Sequence, residues 1–363
     1  MLRKGSFSPV HLENRVAYQS DVKIIHCTDA DANAWDAFLE EAPGASFYHL
    51  FSWKGINEEC FGHRCFYLAA TEGDRIVGIF PLVYIKSLIF GKILCSMPFL
   101  NFGGPCARDE ETERALLREA EDIVHSNGAD YLEIRGAKRV AIPLPTSEHK
   151  VSMTVALKSD PDILWTAFDA KHRREIRHAY KQGLHVKHGG AEHLDAFYEI
   201  LSESWKNLGT PLYDKSYFRR VIDTFPYSVR IFLAYHGDMP ISAAMNGYYA
   251  KRVEGMWLGN RSGERRLNPG YVLYWEMIKH ACENGFEKFH LGRSTVQSGG
   301  EFFKKKWNAY PTQLYWQYIL GKEKEIPHLN VENPKYRIAI GAWKSMPGAM
   351  TRAVGPLLAK NIP

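Results

Sequence analysis

The densest chemistry in the chain lies between Lys288 and Trp307, KFHLGRSTVQSGGEFFKKKW. The segment reads as a short strand from Lys288 to Leu291, a break at Gly292, and Arg293 and Ser294 presented where the strand stops. Gly299 and Gly300 loosen a polar loop before Phe302, Phe303, the lysines Lys304, Lys305 and Lys306, and Trp307. Ligands of open α/β sheets sit in the crevice beyond the carboxyl ends of the strands, so an Arg-Ser pair followed by lysines suits an anionic or carbonyl-bearing substrate. Spacing alone allows a second reading, in which Phe303 and Trp307 form a buried i, i+4 pair and the lysines a solvated turn.

A second cationic group falls between Asp160 and Gly183, which reads as one helix with Asp160 as N-cap, Pro161 at its first position and Gly183 as its stop. Leu164, Phe168, Ile176 and Ala179 mark its buried side, and Lys171, Arg173, Arg174, Arg177 and Lys181 against Glu175 make the other side basic. Such a face is either solvated surface or, because the arginine fork matches phosphate and carboxylate, a ligand face.

The elements that must position these groups come in two similar sets. A strand at Val22 to Ile25 and a helix at Asp29 to Glu41, closed by Pro43-Gly44, lead to an aromatic cluster from Ser46 to Trp53. A hairpin follows, Cys65 to Thr71, a turn at Glu72-Gly-Asp-Arg75, and Ile76 to Ile85; then a helix at Asp109 to Asn127 and a strand at Tyr131 to Ile134. The order recurs with strands at Val229 to Tyr235, Pro240 to Tyr249 and Val253 to Leu258, a helix at Tyr271 to Asn284 and the strand opening at Lys288. Leu68-Ala-Ala matches Leu233-Ala-Tyr, Gly73-Asp74 matches Gly237-Asp238, and Asn127-Gly128 matches Asn284-Gly285, the trace of a duplicated α/β unit joined near Pro143 to Ser147. The expected organisation is a loose arm over 1–20, a first domain over 21–150, a second over 151–325 that carries the reactive site, and a basic tail over 326–363.

A chain of 363 residues suits two domains, each burying a core, and 45% hydrophobic with 24% charged residues excludes a disordered or fibrous chain. A net charge of +5 permits an anionic ligand but falls short of a dedicated nucleic-acid binder. Six cysteines show no C-x-x-C or Cys/His spacing of a zinc site and fit a reducing compartment. No metal is expected. The basic amino end lacks the apolar core of a signal peptide, and the apolar region from Ile76 to Gly104 is interrupted by Pro81, Gly91, Pro98, Gly103 and Gly104, which suits buried strands rather than a membrane helix.

With these residues assembled, the chain resembles the FemAB-like group of the GNAT superfamily, specifically the FemAB-like proteins of exosortase/PEP-CTERM systems. The resemblance rests on Lys171-x-Arg-Arg-x-Ile-Arg-x-Ala, Asn268-Pro-Gly-Tyr-x-Leu-Tyr, Leu291-Gly-Arg-Ser and Ser298-Gly-x-x-x-Phe-Lys-Lys-x-Trp307, with the closing segment from Trp343 to Pro363. It implies an α/β fold of two tandem GNAT-like (acyl-CoA N-acyltransferase) domains with mixed central sheets. The implied activity is transfer of an acyl or aminoacyl group to an amine or hydroxyl of a peptidoglycan, cell-envelope or exopolysaccharide precursor in the cytoplasm. Two alternatives stay open: an acyl-CoA-dependent N-acyltransferase acting on a small amine, and a non-catalytic GNAT pair serving as a binding module in an exosortase or polysaccharide assembly system.

By the same resemblance Lys304 would steady the oxyanion or hold the donor, with Arg293 and Ser294 lining the pocket. Lys171, Arg173, Arg174 and Arg177 would bind phosphate on a nucleotide- or lipid-linked acceptor. Asn246, Tyr248 and Trp257 would wall the cleft, and Asn268, Gly270, Tyr271, Lys305 and Trp307 complete the substrate-binding set. The donor is either aminoacyl-tRNA or acyl-CoA. The GNAT pyrophosphate loop uses several glycines, whereas Arg265-Arg-Leu-Asn-Pro-Gly270 supplies one glycine and a proline without an N–H, which weighs against coenzyme A. The family pattern often has glycine where Asn308 follows Trp307. Glu254, Glu276 and Glu301 read equally well as surface carboxylates, so no general base is named. The first copy, with Ile134-Arg135-Gly136 and no following lysine cluster, reads as structural or acceptor-binding. Its His49, Trp53, Asn101 and Phe102 would line an acceptor groove or belong to the core.

From Pro334 to Pro363 the chain has Lys335, Arg337, Lys344, Arg352 and Lys360 without an acidic residue, and Trp343, Met346, Met350, Val354 and Leu357 near helical spacing. This basic amphipathic tail would dock on the body or make peripheral contact with an anionic membrane at its inner face.

Overall fold

In the computed structural model, residues 22–362 are described apart from 43, 88–89, 323–324 and 327–333. The expected arm over 1–20 lies outside the described residues. The strands are β1 (Val22–His26), β2 (Arg64–Glu72), β3 (Arg75–Ser87), β4 (Gly91–Cys95), β5 (Cys106–Ala107), β6 (Tyr131–Gly136), β7 (Thr146–Ala156), β8 (Leu184–Gly189), β9 (Val229–His236), β10 (Met239–Tyr249), β11 (Arg252–Asn260), β12 (Lys288–Thr295) and β13 (Tyr310–Leu320). They form one mixed sheet in the order β1-β2-β3-β4-β6-β13-β7-β12-β11-β10-β9-β8, with β5 pairing β3.

The duplication is visible in the pairing. In the first half β4 runs parallel to β6 through Ile93↔Tyr131, Leu94↔Leu132 and Cys95↔Glu133. In the second, β11 runs parallel to β12 through Arg252↔Lys288, Val253↔Phe289 and Glu254↔His290. Each pairing then stops, and the two strands diverge into a wedge. Between the halves the closing strands are exchanged: β7 pairs with β12 of the second half, and β13 pairs with β6 of the first. β7 and β13 also pair with each other, from Tyr310↔Thr154 to Gln317↔Thr146.

The expected pair of central sheets is therefore one continuous sheet, and the point expected to separate the domains, between residues 150 and 151, lies inside β7. Neither half closes its own sheet. The Pro143-to-Ser147 segment looked like a linker because Pro143 and Pro145 precede β7 rather than interrupt it.

Helices cover both faces. The helix Glu110–Ser126 starts at Asp109, whose side chain accepts from the Thr112 N–H at 2.8 Å. It buries Leu116, Leu117, Ala120, Ile123 and Val124, a stripe at three- and four-residue spacing, against the first half. The helix Pro269–Glu283 does the same for the second half with Val272, Leu273, Met277, Ile278 and Ala281. On the opposite face a single apolar cluster runs across both halves, joining Trp35, Phe47, Trp53 and Tyr67 to Phe197, Phe218 and Trp257. Each half keeps a cluster of its own as expected, and burying these large aromatics jointly ties the halves together.

The Asp160-to-Gly183 helix is two helices, Pro161–Ala167 and Ala170–Lys181. Phe168 is extended and buried against Trp275 and Trp307, and Asp169 then accepts from the His172 N–H at 2.7 Å, starting a new helix. Asn308 explains the glycine expected at its position: its φ is 55°, in the left-handed region, which asparagine tolerates better than most residues. Its side chain also donates to the Ala167 carbonyl at 3.1 Å, closing the shorter helix.

Candidate active site

The second-half wedge opens where β11 and β12 part. A register shift between His290 and Arg293 turns β12, and Gly292 adopts φ 77°. A Cβ there would stand 3.0 Å from the Gly255 carbonyl oxygen, so a side chain would be strained by conformation and crowded in space. The expected strand end at Leu291 is thus a bulge inside a longer strand that continues to Thr295. The wedge holds a cavity of about 250 Å³ lined by Asn101, Asn246, Gly255, Trp257, Tyr274, Leu291, Arg293 and Lys304, among others.

The equivalent wedge of the first half is filled by its own chain. After β4, Ser96 Oγ accepts from the Arg135 N–H at 2.8 Å and the Gly103 N–H donates to the Arg135 carbonyl at 2.8 Å, stitching the loop between them into the gap. Asn101 on that loop reaches across the seam, donating to the Gly255 carbonyl at 3.0 Å and the Tyr48 hydroxyl at 2.7 Å. One copy has become a plug whose tip lines the cavity of the other.

Lys304 sits in the last turn of the helix Gly299–Lys305. Ser298 Oγ accepts from the Glu301 N–H at 3.3 Å, and Glu301 accepts from the Gln297 N–H at 2.6 Å, so Glu301 is a capping group rather than a free surface carboxylate. The Lys304 ammonium is buried and donates to the carbonyls of Gly292 at 2.9 Å and Arg293 at 3.0 Å. Burial, then the neighbouring Arg293 charge, lowers its pKa to about 8. An ammonium has three donors, so a third remains for the cavity. Arg293 has one buried terminal nitrogen without a partner and lies 5.5 Å from the Trp316 ring centre; burial and Arg135 lower its pKa to about 10.

Glu254, the last residue of β11 paired with β12, is fully buried beside the cavity-lining Gly255, and its carboxylate oxygens make no well-formed hydrogen bond, the Tyr48 hydroxyl being the polar group next to it. Burial raises its pKa to about 8, against the opposing pull of Arg252. His290 stands 3.9 Å away, its Nδ1 against Thr154 Oγ1 at 2.8 Å, and burial lowers it to about 4. At neutral pH the contact is thus between a carboxylic acid and a neutral imidazole, not an ion pair. Reading Glu254 as a surface group was wrong because one carboxylate among Val253, Met256 and Trp257 gives no periodicity of its own. Its place beside a parallel partner strand was the missed signal.

The structure gathers Lys304, Arg293, Asn246 and Trp257 in the cavity wall. Asn246 is buried with its amide nitrogen unpaired, and Trp257 packs edge-on against Tyr217 and Phe218. Ser294 is buried beside them in β12 without lining the cavity, and Tyr248 packs on Phe286. Trp307 is core, wholly buried against His172, Phe168 and Tyr274. Lys305 pairs with Glu301 at 2.7 Å. Tyr271 accepts from Lys306 at 3.1 Å, Asn268 adopts a left-handed turn before Pro269, and Gly270 faces the Phe303 ring.

None of the basic-helix residues lines the cavity. Arg173 donates to the Thr166 carbonyl at 2.9 Å, finishing the preceding helix, and Arg177 stacks on Trp165, while Lys171 and Arg174 are exposed. Glu276 accepts from the Tyr180 hydroxyl. In the first half, His49 and Trp53 are buried in the shared core, Phe102 lies near His290, and Asn101 alone of that set lines the cavity.

A duplicated unit of this topology, splayed at a parallel pair with the gap lined by cationic and amide donors, defines a tandem GNAT-fold protein. Residues 167–305 match the acetyltransferase (GNAT) domain family, so the half that keeps its wedge open carries an acyltransferase domain. No curated protein matches the chain in sequence. Among solved structures the chain is similar to FemX, with a TM-score of 0.63 and 16% identity over 81% of this chain and 97% of that one. It is also similar to the C-terminal domain of a putative lysylphosphatidylglycerol synthetase from Agrobacterium fabrum, at 0.52 and 14% over 79% and 92%. A tandem GNAT protein from the clavulanic acid biosynthesis pathway aligns at 0.51 and 12% over 83% and 98%. These identities speak to shared fold.

Proposed function

We propose that the protein is an acyl- or aminoacyltransferase of the FemAB-like kind, acting on an amine or hydroxyl of a cell-envelope or exopolysaccharide precursor of the type handled in exosortase/PEP-CTERM systems. The observation that carries the reading is the Lys304 ammonium, buried on the rim of the open wedge with its carbonyl partners fixed and Arg293 beside it. Attack on an ester or thioester carbonyl places negative charge on its oxygen, and a preorganised cation out of water stabilises that charge strongly. The fold shared with FemX and with a putative lysylphosphatidylglycerol synthetase supports an aminoacyl donor and an envelope acceptor. Glu254, neutral at pH 7 and next in β11 to the cavity-lining Gly255, serves as a proton donor to the departing oxygen or sulfur, while the acceptor's proton passes to solvent.

A second reading, an acyl-CoA-dependent N-acyltransferase, is favoured by the family match over residues 167–305. Against it, the helix facing the cavity begins at Pro269, which has no N–H, and the preceding Asn268 makes no side-chain cap. Calorimetry separates them: saturable binding of acetyl-CoA supports the second reading, and its absence alongside transfer from aminoacyl-tRNA to an envelope precursor supports the first. A fully retained biological phenotype in Lys304→Ala would support a non-catalytic pair instead.

The helices Pro334–Ser345 and Gly348–Ala359 dock on the helix Leu194–Leu208, with Trp343 buried and His63 at 2.7 Å from the Lys360 carbonyl oxygen. The side chains of Lys335 and Arg337 lie outside the described residues. Met350, Val354 and Leu357 stay exposed beside Arg352, and this face supports peripheral attachment to an anionic membrane carrying a lipid-linked acceptor. Among the described residues no helix is long and apolar enough to cross a membrane.

A further inference from the structure

The seam between the halves concentrates positive charge that the protein itself does not neutralise. Arg135 on β6 is buried, with its Nε donating to Glu133 at 2.6 Å and one terminal nitrogen left without a partner. Glu133 is shared, since it also accepts from the Tyr318 hydroxyl at 3.0 Å and faces the Cys95 thiol at 3.9 Å. Arg293 on β12 likewise leaves a buried terminal nitrogen unpaired. Both guanidinium groups lie over the Trp316 ring of β13, at 4.6 and 5.5 Å from its centre. Lys150 on β7 donates only to Thr295 Oγ1 at 2.8 Å, and His149 stands edge-on to the same indole at 4.8 Å.

Among the described residues Arg293, Lys150 and Lys304 have no ion pair, so Glu133 is the one carboxylate among four cations. Charges taken from water without a counter-ion are costly, and those in this cluster repel one another: burial first, then Arg293 and Arg135, lower Lys150 to about 8. An oxyanion with several acceptors would fill the unpaired donors, and paired arginine forks favour phosphate over a lone carboxylate. Access is available at Lys150, since His149 and Thr295 are exposed. The strand register also makes Arg135 and Arg293 counterparts in the two copies: Glu133 occupies in β6 the place of His290 in β12, and the one-residue bulge after His290 brings Arg293 to the place that Arg135 holds two residues after Glu133. A counterpart of Arg293 therefore exists in the first half, without the lysine cluster that follows in the second.

We propose that this seam, formed by Arg135 and Arg293 with Lys150 at its mouth, binds a phosphate or pyrophosphate group. The ligand touches both halves at once and lies next to the open wedge through Arg293. The assignment rests on the transferase reading only for the identity of the larger molecule: a nucleotide-linked, lipid-linked or coenzyme A pyrophosphate would each present the same chemistry.

Thermal shift and calorimetry on the full chain with inorganic pyrophosphate test the site directly, with sodium chloride at matched ionic strength as reference. Pyrophosphate is expected to raise the midpoint beyond the chloride control, and Lys150→Ala and Arg293→Gln each to weaken binding about tenfold or more. Arg174→Ala, on the basic helix, is expected to bind as the parent does. Because Arg293→Gln perturbs a buried site, Lys150→Ala at the mouth is the variant that decides if the former fails to fold. Competition then identifies the source, by displacement with a uridine diphosphate sugar, an isoprenyl pyrophosphate in detergent, or coenzyme A. Equal stabilisation by pyrophosphate and chloride, or unchanged pyrophosphate binding in Lys150→Ala, overturns the assignment. Either result leaves the transferase reading standing, since that is tested through Lys304.

Discussion

Lys304 joins two properties that oppose each other in water: a full positive charge and a buried position. Its protonation fades as pH rises through about 8, so a transfer rate that needs the ammonium falls over that range. Lys304→Arg, with a guanidinium that stays charged, is expected to lose that alkaline limb in a pH–rate profile while retaining part of the rate. Lys304→Ala is expected to lower the rate about 100-fold or more with the fold intact by circular dichroism. Glu254 gives a prediction about stability. Its folded pKa, about 8, exceeds that of the unfolded carboxylate, so the folded state holds a proton that the unfolded chain has released. The stabilisation is complete below the unfolded value and is lost as pH rises through about 8. Glu254→Gln should therefore flatten the decline in Tm between about pH 5 and 8, as measured by calorimetry. The cationic members of this site were legible in the sequence because Arg293 and Lys304 follow glycine breaks. Glu254 was not, since its burial comes from a strand contributed elsewhere in the chain.

At the scale of elements the wedge depends on one glycine and one loop. Gly292→Ala would force a positive φ on a side chain and press it against the Gly255 carbonyl, at a cost of about 1–2 kcal/mol or more. Denaturant titration should show that loss, with a matching fall in transfer because Lys304 bonds to the Gly292 carbonyl. Asn101→Ala removes two hydrogen bonds, the one to Gly255 crossing the seam, and should cost about 1–3 kcal/mol while relaxing the plug against the cavity. The hairpins and the long helices were legible because their apolar periods and turn glycines are local. The exchanged strands β7 and β13 were not, because what fixes them is a partner in the other half. Asp169 was overlooked as a cap since the apolar spacing runs straight through it.

For the whole molecule, exchange of closing strands and a shared aromatic core make the halves mutually dependent. Unfolding in guanidinium is expected as one transition, the same by fluorescence and circular dichroism, and removal of the chain from Tyr310 onward should unfold the first half along with the second. Two resolved transitions would contradict that coupling. The central claim is that transfer chemistry sits in the one wedge left open, with Lys304 as its cation. The most direct measurement is mass spectrometry of envelope glycans and nucleotide-linked precursors in a deletion strain complemented with either the parent chain or Lys304→Ala. The account predicts an acyl or aminoacyl mass increment that vanishes on deletion, returns with the parent and stays absent with the variant. Full restoration of that increment by a folded Lys304→Ala protein would contradict it.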